Sequence, residues 1–497
     1  MEVLNGFINA LSINNLLFAT LSVAIGITIG SLPGLSAAMG VALLIPITYG
    51  MPPETGLIVL AGVYCGAIFG GSISAILLHT PGTPAAAATA IDGYQLTLKG
   101  KAGKALGTAV IASSIGGVLS AIPLYLFAPA LAKLALKFGP SEYFWLSIFG
   151  LTIIAGVSTK SILKGLMSGV IGLMLSTIGM DPMLGKLRFT FGQTSLYSGL
   201  PVTATLIGLF SMSQILILAE AKMRKVGDLV KFDDKVTLTK KEFKTVLPTI
   251  LRSTVIGNVI GILPGAGASI ASFLGYSEAR RFSKNKEEFG HGSIEAIAGS
   301  EAANNAVTGG SLIPTLTLGI PGESVTAVLM GGLLIQGLQP GPDLFTIHSK
   351  MTYTFFAGFV IVNIIMLFLG LFGARIFAKI SRVPDNILIP TVFSLSVVGS
   401  YAIRNQIADV LIMLVFGIVG YMCKKFDLNP AGIVIALILG PIGEQGLRRT
   451  LILSKGDWTA LFGSVISWVL IGLIVMAVFS PMIMKKVENK AKKQAEA

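Results

Sequence analysis

Ile25 to Gly34 reads IGITIGSLPG, and Ile256 to Gly265 reads IGNVIGILPG. Extended without a gap to Ala37 and Ala268, the copies agree at Ile25, Gly26, Ile29, Gly30, Leu32, Pro33, Gly34 and Ala37. A second pair lies downstream. GGSISAILLHTPGT, Gly70 to Thr83, matches GGSLIPTLTLGIPGE, Gly309 to Glu323, with one residue of slippage between the glycines and the Pro-Gly. The chain carries a long internal duplication, a pattern that in an apolar sequence points to a transporter.

Hydrophobic residues make up 53% of the 497 and charged residues 12%, with a mean hydropathy of +0.80. No soluble fold of this length hides that much apolar surface, so the chain belongs in a bilayer. A hydrocarbon core about 30 Å thick asks for roughly 20 apolar residues per helix, which Phe355 to Phe372 and Ala460 to Phe479 approach. The expected fold is an all-α integral membrane protein with 10 to 13 spanning or re-entrant segments. The 59 glycines and 22 prolines predict broken helices, which survive at membrane depth only where protein or a water-filled cavity covers them. The two cysteines, Cys65 and Cys423, lie far apart with no ligand spacing, so neither a disulfide framework nor a metal site is indicated. Lys and Arg number 37 against 24 Asp and Glu. Basic loops facing anionic lipid account for that excess, and no nucleic-acid partner is expected. Nor does the N-terminus carry the basic stretch of a cleaved signal peptide.

No Lys or Arg precedes Lys99, which places the N-terminus outside, and Lys99, Lys101 and Lys104 together belong inside. The apolar piece Leu35 to Tyr49, broken at Pro46, reads as half of a re-entrant hairpin. The expected organisation is a first transmembrane repeat over 1–221, a cytoplasmic linker over 222–252 and a second repeat over 253–456. An extra helix and basic tail then fill 457–497. An odd number of crossings in the first half makes the two Leu-Pro-Gly motifs enter from opposite faces, an inverted repeat. Arg448, Arg449 and Lys455 then fall outside against the rule, as a patch for an acidic partner or an anion.

Glu301, Asn304, Asn305 and Thr308 share one face at helical spacing. Read as a helix that unwinds at Gly309, Gly310 and Ser311, this stretch offers a carboxylate, amide oxygens and free carbonyls. That set suits a hard monovalent cation such as Na⁺. Interhelical hydrogen bonding without an ion is the plainer alternative. The four Pro-Gly corners (Pro33 and Gly34, Pro81 and Gly82, Pro264 and Gly265, Pro321 and Gly322) each end a half-helix, and a half-helix N-terminus can hold a carboxylate. Ser36, Ser72, Thr83, Gly267, Ser269, Glu323 and Thr326 lie at or near them, and the hydroxyls among them are ready partners for an anionic substrate. His79, beside one corner, is open to a substrate contact, a proton site or a packed neutral imidazole. Asp92 and Glu323 read as hairpin caps or pathway charges. Glu54, Glu142, Asp181 and Asp343 read as solvated ends. No phosphate-binding loop or hydrolase motif appears, so neither ATP use nor enzymatic activity is expected.

GSLPGLSAAMGVALLIPITYG, GILPGAGASIASFLGYSEAR, GSEAANNAVTGGSLIPTLTLGIPGES and LILGPIGEQGLRRTL resemble the TctA family, the large membrane subunit of bacterial tripartite tricarboxylate transporters. The resemblance covers nearly the whole chain. It implies a secondary transporter of the bacterial inner membrane that works with a small membrane subunit and a periplasmic solute-binding protein delivering carboxylates such as citrate. It also implies coupling to a cation gradient, with no cofactor beyond a possible Na⁺. His79 departs from the small amide expected there. The combined reading is a cation-coupled importer of small organic carboxylates. A channel and a lipid-acting membrane enzyme are the alternatives.

Overall fold

The computed structural model describes residues 2–157, 162–220, 234–265, 267–381 and 383–477. In chain order the helices are α1 (Glu2–Ala10), α2 (Ile13–Ser31), α3 (Ala37–Thr48), α4 (Pro53–Leu78), α5 (Ala87–Leu98), α6 (Ala102–Ala135), α7 (Pro140–Val157) and α8 (Ile162–Ser176). Next come α9 (Val202–Leu206) and α10 (Ser213–Glu220), joined by a π-helical stretch, then α11 (Lys240–Ile262), α12 (Gly267–Phe282), α13 (Ile294–Leu318) and α14 (Ser324–Ile335). The chain continues through α15 (Asp343–Thr346), α16 (Ser349–Ile380), α17 (Asp385–Ala402), α18 (Ile407–Lys425) and α19 (Pro430–Leu453), and α20 covers Val465–Ala477. Among the described residues the only strands are the two-residue pair β1 (Gly179–Met180) and β2 (Leu187–Arg188). Among the described residues eight helices are long and apolar enough to cross a membrane, and shorter apolar helices accompany them. The protein is an all-α, multi-pass membrane protein. Its outer surface fits lipid: Leu411, Val415 and Ile418 form an exposed apolar stripe along α18.

The chain divides into two compact units. The first comprises residues 1–132 and 202–421, and the duplication lies within it as two matched sets of helices. α2 ends at Leu32 with φ −85° and ψ 110°, and α11 ends at Leu263 with φ −81° and ψ 107°. Gly34 and Gly265 follow at φ +94° and +89°, a left-handed turn that a side chain resists. α2 packs on α4 as α11 packs on α13, through glycines that bring backbones together. A methyl group at Gly30 would run into the carbonyl of Ala67, and one at Gly261 into that of Val307 at 2.9 Å. α4 and α13 both close on a left-handed residue, His79 (φ 53°) and Gly319 (φ 68°). Beyond it Gly82 rests on the Gly30 carbonyl and Gly71, while Gly322 rests on the Gly261 carbonyl and Ser311. The register therefore runs unbroken from the corner back along the helix, pairing Gly70 with Gly310 and Gly71 with Ser311.

The second unit comprises residues 133–201 and 422–497. In it α7, α8 and α19 pack together. Asp181 and Glu142, expected to be solvated, are buried. Arg448 donates to Asp181 at 2.8 Å and to Glu444 at 3.1 Å, and Arg188 forks onto Glu444 at 2.7 and 3.2 Å. The Arg448 bond, with the Met183 and Leu184 amides, holds the Asp181 carboxyl down to about 2. Glu142 accepts from Ser464 and the Gly139 amide. Arg448 thus meets acids of its own chain.

Three further expectations change. Pro46 does not break its helix, since α3 runs through it. α11 begins at Lys240, inside the stretch read as linker, where Thr239 and Glu242 form a reciprocal cap; residues 221–233 lie outside the described residues. Gly309, Gly310 and Ser311 do not unwind, because α13 continues through them and through Pro314 to Leu318. Those glycines let Ser120 and the Asn258 backbone approach, so free carbonyls are not available there.

Gly30→Val and Gly261→Val are expected to lower the melting temperature in detergent by the equivalent of about 1–3 kcal/mol each, through overpacking. Gly50→Val, with nothing within 4 Å of the added carbon, is the comparison. Equal melting of all three would contradict this packing.

Candidate functional site

α4 and α13 are buried along nearly their whole length, so polar side chains on them see the interior. Glu301, Asn304, Asn305, Thr308 and Ser311 follow one another on α13 at helical spacing, all fully buried. The Glu301 carboxylate accepts Thr89 Oγ1 of α5 at 2.5 Å and Ser113 Oγ of α6 at 2.8 Å. Ser72 of α4 lies beside the same carboxyl, but its hydroxyl makes no hydrogen bond of ordinary geometry. Among the described residues no Lys, Arg or His pairs with Glu301. A buried carboxylate without a countercharge is costly by several kcal/mol.

One turn on, among the described residues Asn304 has no partner for either amide atom, and Asn305 has none for its Oδ1. Each such group costs about 1–3 kcal/mol if left unsatisfied. A carboxylate, three nearby hydroxyls and orphaned amide oxygens form a hard-donor set with one negative charge, which suits a monovalent cation. Thr308 instead donates to the Asn305 carbonyl at 2.6 Å. Its hydroxyl also lies 3.9 Å from Cys65 Sγ, which in turn is 3.7 Å from Asn363 Nδ2 of α16.

The second half's corner is closed by a carboxylate of the chain. Glu323, half-buried at the start of α14, accepts the Ala268 N–H of α12 at 3.0 Å on one oxygen and the Tyr64 hydroxyl of α4 on the other. Tyr64 Oη is also 3.2 Å from Ser311 Oγ. Gly265 N–H donates to the Gly322 carbonyl at 2.7 Å, so Pro264 and Pro321 are joined through their neighbours. Gly267 faces the Glu323 carboxylate, Thr326 Oγ1 caps the Glu323 amide at 3.1 Å, and Ser269 is half-buried.

In the first half Ser36 caps α3 by accepting Met39 N–H at 3.1 Å. Thr83 is buried with its hydroxyl unpartnered, next to Gly82 and the half-buried Pro81; Pro33 is buried and Gly34 exposed. His79 points away from the polar file: it is an exposed left-handed cap whose ring stacks on Tyr94 at 4.8 Å. Asp92 is a cap rather than a pathway charge. It accepts the amides of Gly290, Gly292 and Ser293 at 2.7 to 3.1 Å, closing the N-terminus of α13.

Sequence reasoning missed Thr89, Ser113, Tyr64 and Cys65. Tyr64 carried no clear signal, because aligning the glycines by sequence sets it against Ala303, and only the register found in the structure pairs it with Asn304. The lone hydroxyls of α5 and α6 carried none.

A duplicated, multi-pass helical core with buried charge and paired broken-helix corners is the architecture of membrane transport proteins. The chain belongs to the tripartite tricarboxylate transporter TctA family, whose model matches residues 16–435. It is 39% identical over 453 residues to an uncharacterized 52.8 kDa protein in the TAR-I ttuC' 3' region of Agrobacterium vitis, covering 91% of this chain and 90% of that one. An uncharacterized protein in the TAR-II ttuC' 3' region of the same organism is 39% identical over 222 residues, 45% of this chain and 92% of that one. No solved structure matches. Membership places the chain among transporters rather than enzymes, as a component of tripartite systems.

Asn304→Ala should cost less than about 1 kcal/mol of stability despite full burial, because no hydrogen bond is lost. Asp92→Ala should cost about 2 kcal/mol or more through loss of the α13 cap. Melting curves in which Asn304→Ala is the more damaging change would contradict this assignment.

Proposed function

We propose that this protein is the large transmembrane subunit of a binding-protein-dependent system in a bacterial inner membrane, importing small organic di- and tricarboxylates such as citrate by cation symport. The observation that carries coupling is the buried Glu301 carboxylate near the Asn304 amide and the Asn305 Oδ1, which have no partner among the described residues. Na⁺ suits that donor set, and a proton on Glu301 is the alternative coupling ion. Family membership supports the tripartite assembly, with a small membrane subunit and a periplasmic solute-binding protein as partners.

The charge pattern supports opposed entry of the two halves. Lys99, Lys101 and Lys104 follow α5, while Lys240, Lys241, Arg280 and Arg281 flank the α11–α12 hairpin. With all of these on the cytoplasmic side, the α2–α3 corner enters from outside and the α11–α12 corner from inside. The corners then meet α4 and α13 near the midplane, where the substrate is held between the halves of the repeat. Motion of one set of helices against the other exposes it alternately to each side. The burial of α4 and α13 favours this over a continuous polar pore.

The test is uptake of labelled citrate and a panel of dicarboxylates into proteoliposomes, with both partner subunits supplied, under an imposed Na⁺ or proton gradient. Accumulation that collapses with one gradient is expected, and it names the ion. Leak indifferent to both gradients and to the binding protein would move the assignment to a channel.

A further inference from the structure

Around their corners the two halves correspond residue for residue: Tyr64 with Asn304, Gly71 with Ser311, and Thr83 with Glu323. Matched helix ends, matched glycine contacts and reciprocal packing fix that correspondence. α14 packs on α3 and α4, while α5 and the short turn Pro84–Ala86 pack on α12 and α13. At one corner the chain supplies the carboxylate of Glu323, taken by the Ala268 amide at the start of α12 and by the Tyr64 hydroxyl. At the other, Thr83 stands where Glu323 would, and Asn304 stands where Tyr64 would. Thr83 is 3% exposed and Asn304 0% exposed. Among the described residues the Thr83 hydroxyl and both amide atoms of Asn304 have no partner.

We propose that a carboxylate group of the transported anion binds at this first corner, taking the place that Glu323 holds at the second. The Asn304 amide N–H and the Thr83 hydroxyl are its donors, and the N-terminus of α3 is the positive end behind them. This rests on the carboxylate reading above.

The second corner shows that such an arrangement accepts a carboxylate. Two buried donors left unsatisfied at the first need an acceptor from outside the chain, and a helix N-terminus selects an anionic one. An amide has two ends. While Asn304 Nδ2 serves the anion, its Oδ1 remains for the cation beside Glu301, so one side chain bridges substrate and coupling ion. α12 also differs from α3 in carrying Gly267 where α3 carries Ser36, so its cap comes from Glu323 instead. That internal carboxylate excludes a second anion there, leaving one anion corner per chain.

Thr83→Glu and Asn304→Asp test this in the proteoliposome assay with labelled citrate. Each places a negative charge at the first corner, and each should raise the KM for citrate about ten-fold or more, the worth of a charge-assisted hydrogen bond. Asn304→Asp should leave half-saturation by the coupling cation unchanged or lower, a split that a merely structural role does not produce. Either variant, folded by its melting curve, with a KM within about two-fold of the wild type would overturn the proposal. If Thr83→Glu fails to fold, the isosteric Asn304→Asp carries the test alone. A wild-type protein that accumulates neither citrate nor succinate under either gradient would sink the carboxylate reading, and this inference with it.

Discussion

Inside a hydrocarbon slab a chain that leaves the helix must satisfy its own amides and carbonyls, and that constraint shapes the first unit. Its Pro-Gly corners stop helices without leaving these backbone groups to the hydrocarbon. The corners are closed by the chain itself: Gly82 N–H donates to the Gly71 carbonyl, and Gly265 N–H to the Gly322 carbonyl. Backbones come that near only because Gly30, Gly71 and Gly261 have no side chain. Small residues therefore make the corners possible, and the corners bring helix ends and hydroxyls beside α4 and α13.

Polar groups then concentrate where they cost most. Glu301 sits on a helix buried along nearly its whole length, with hydroxyls but no paired cationic side chain around it among the described residues, and the Asn304 side chain has no partner there. Structural carboxylates elsewhere in the protein look different. Asp92 accepts three backbone amides and Asp181 is held by Arg448. Asp92 and Asp181 are saturated by their own chain, whereas Ser72 and Asn304 near Glu301 have no side-chain partner among the described residues.

Much of the fold was legible because composition and duplication are local properties of the string. The apolar content gave the membrane, and the two Leu-Pro-Gly copies marked equivalent turns with nearly equal torsions. The misreadings share one cause. Glycine serves both to break a helix and to let another backbone approach, and at Gly309 and Gly310 the second use holds. Pro46 and Pro314 are likewise absorbed within helices. Glu142 and Asp181 looked solvated because their partners, Ser464 and Arg448, are hundreds of residues away, as Thr89 and Ser113 are from Glu301. Of the candidate site, the α13 face and the corners were readable; the hydroxyls contributed by α5 and α6 were not.

The most direct test of the proposal that the Glu301 cluster holds Na⁺ rather than a proton is the melting temperature of the purified protein in detergent as NaCl replaces choline chloride. A ligand that binds only the folded state stabilises it by about 2.7 kcal/mol at one hundred times its Kd. The account predicts a saturable rise in melting temperature with Na⁺ for the wild type and none for Glu301→Gln. Equal melting in both salts, or a Na⁺ shift that persists in Glu301→Gln, would contradict it.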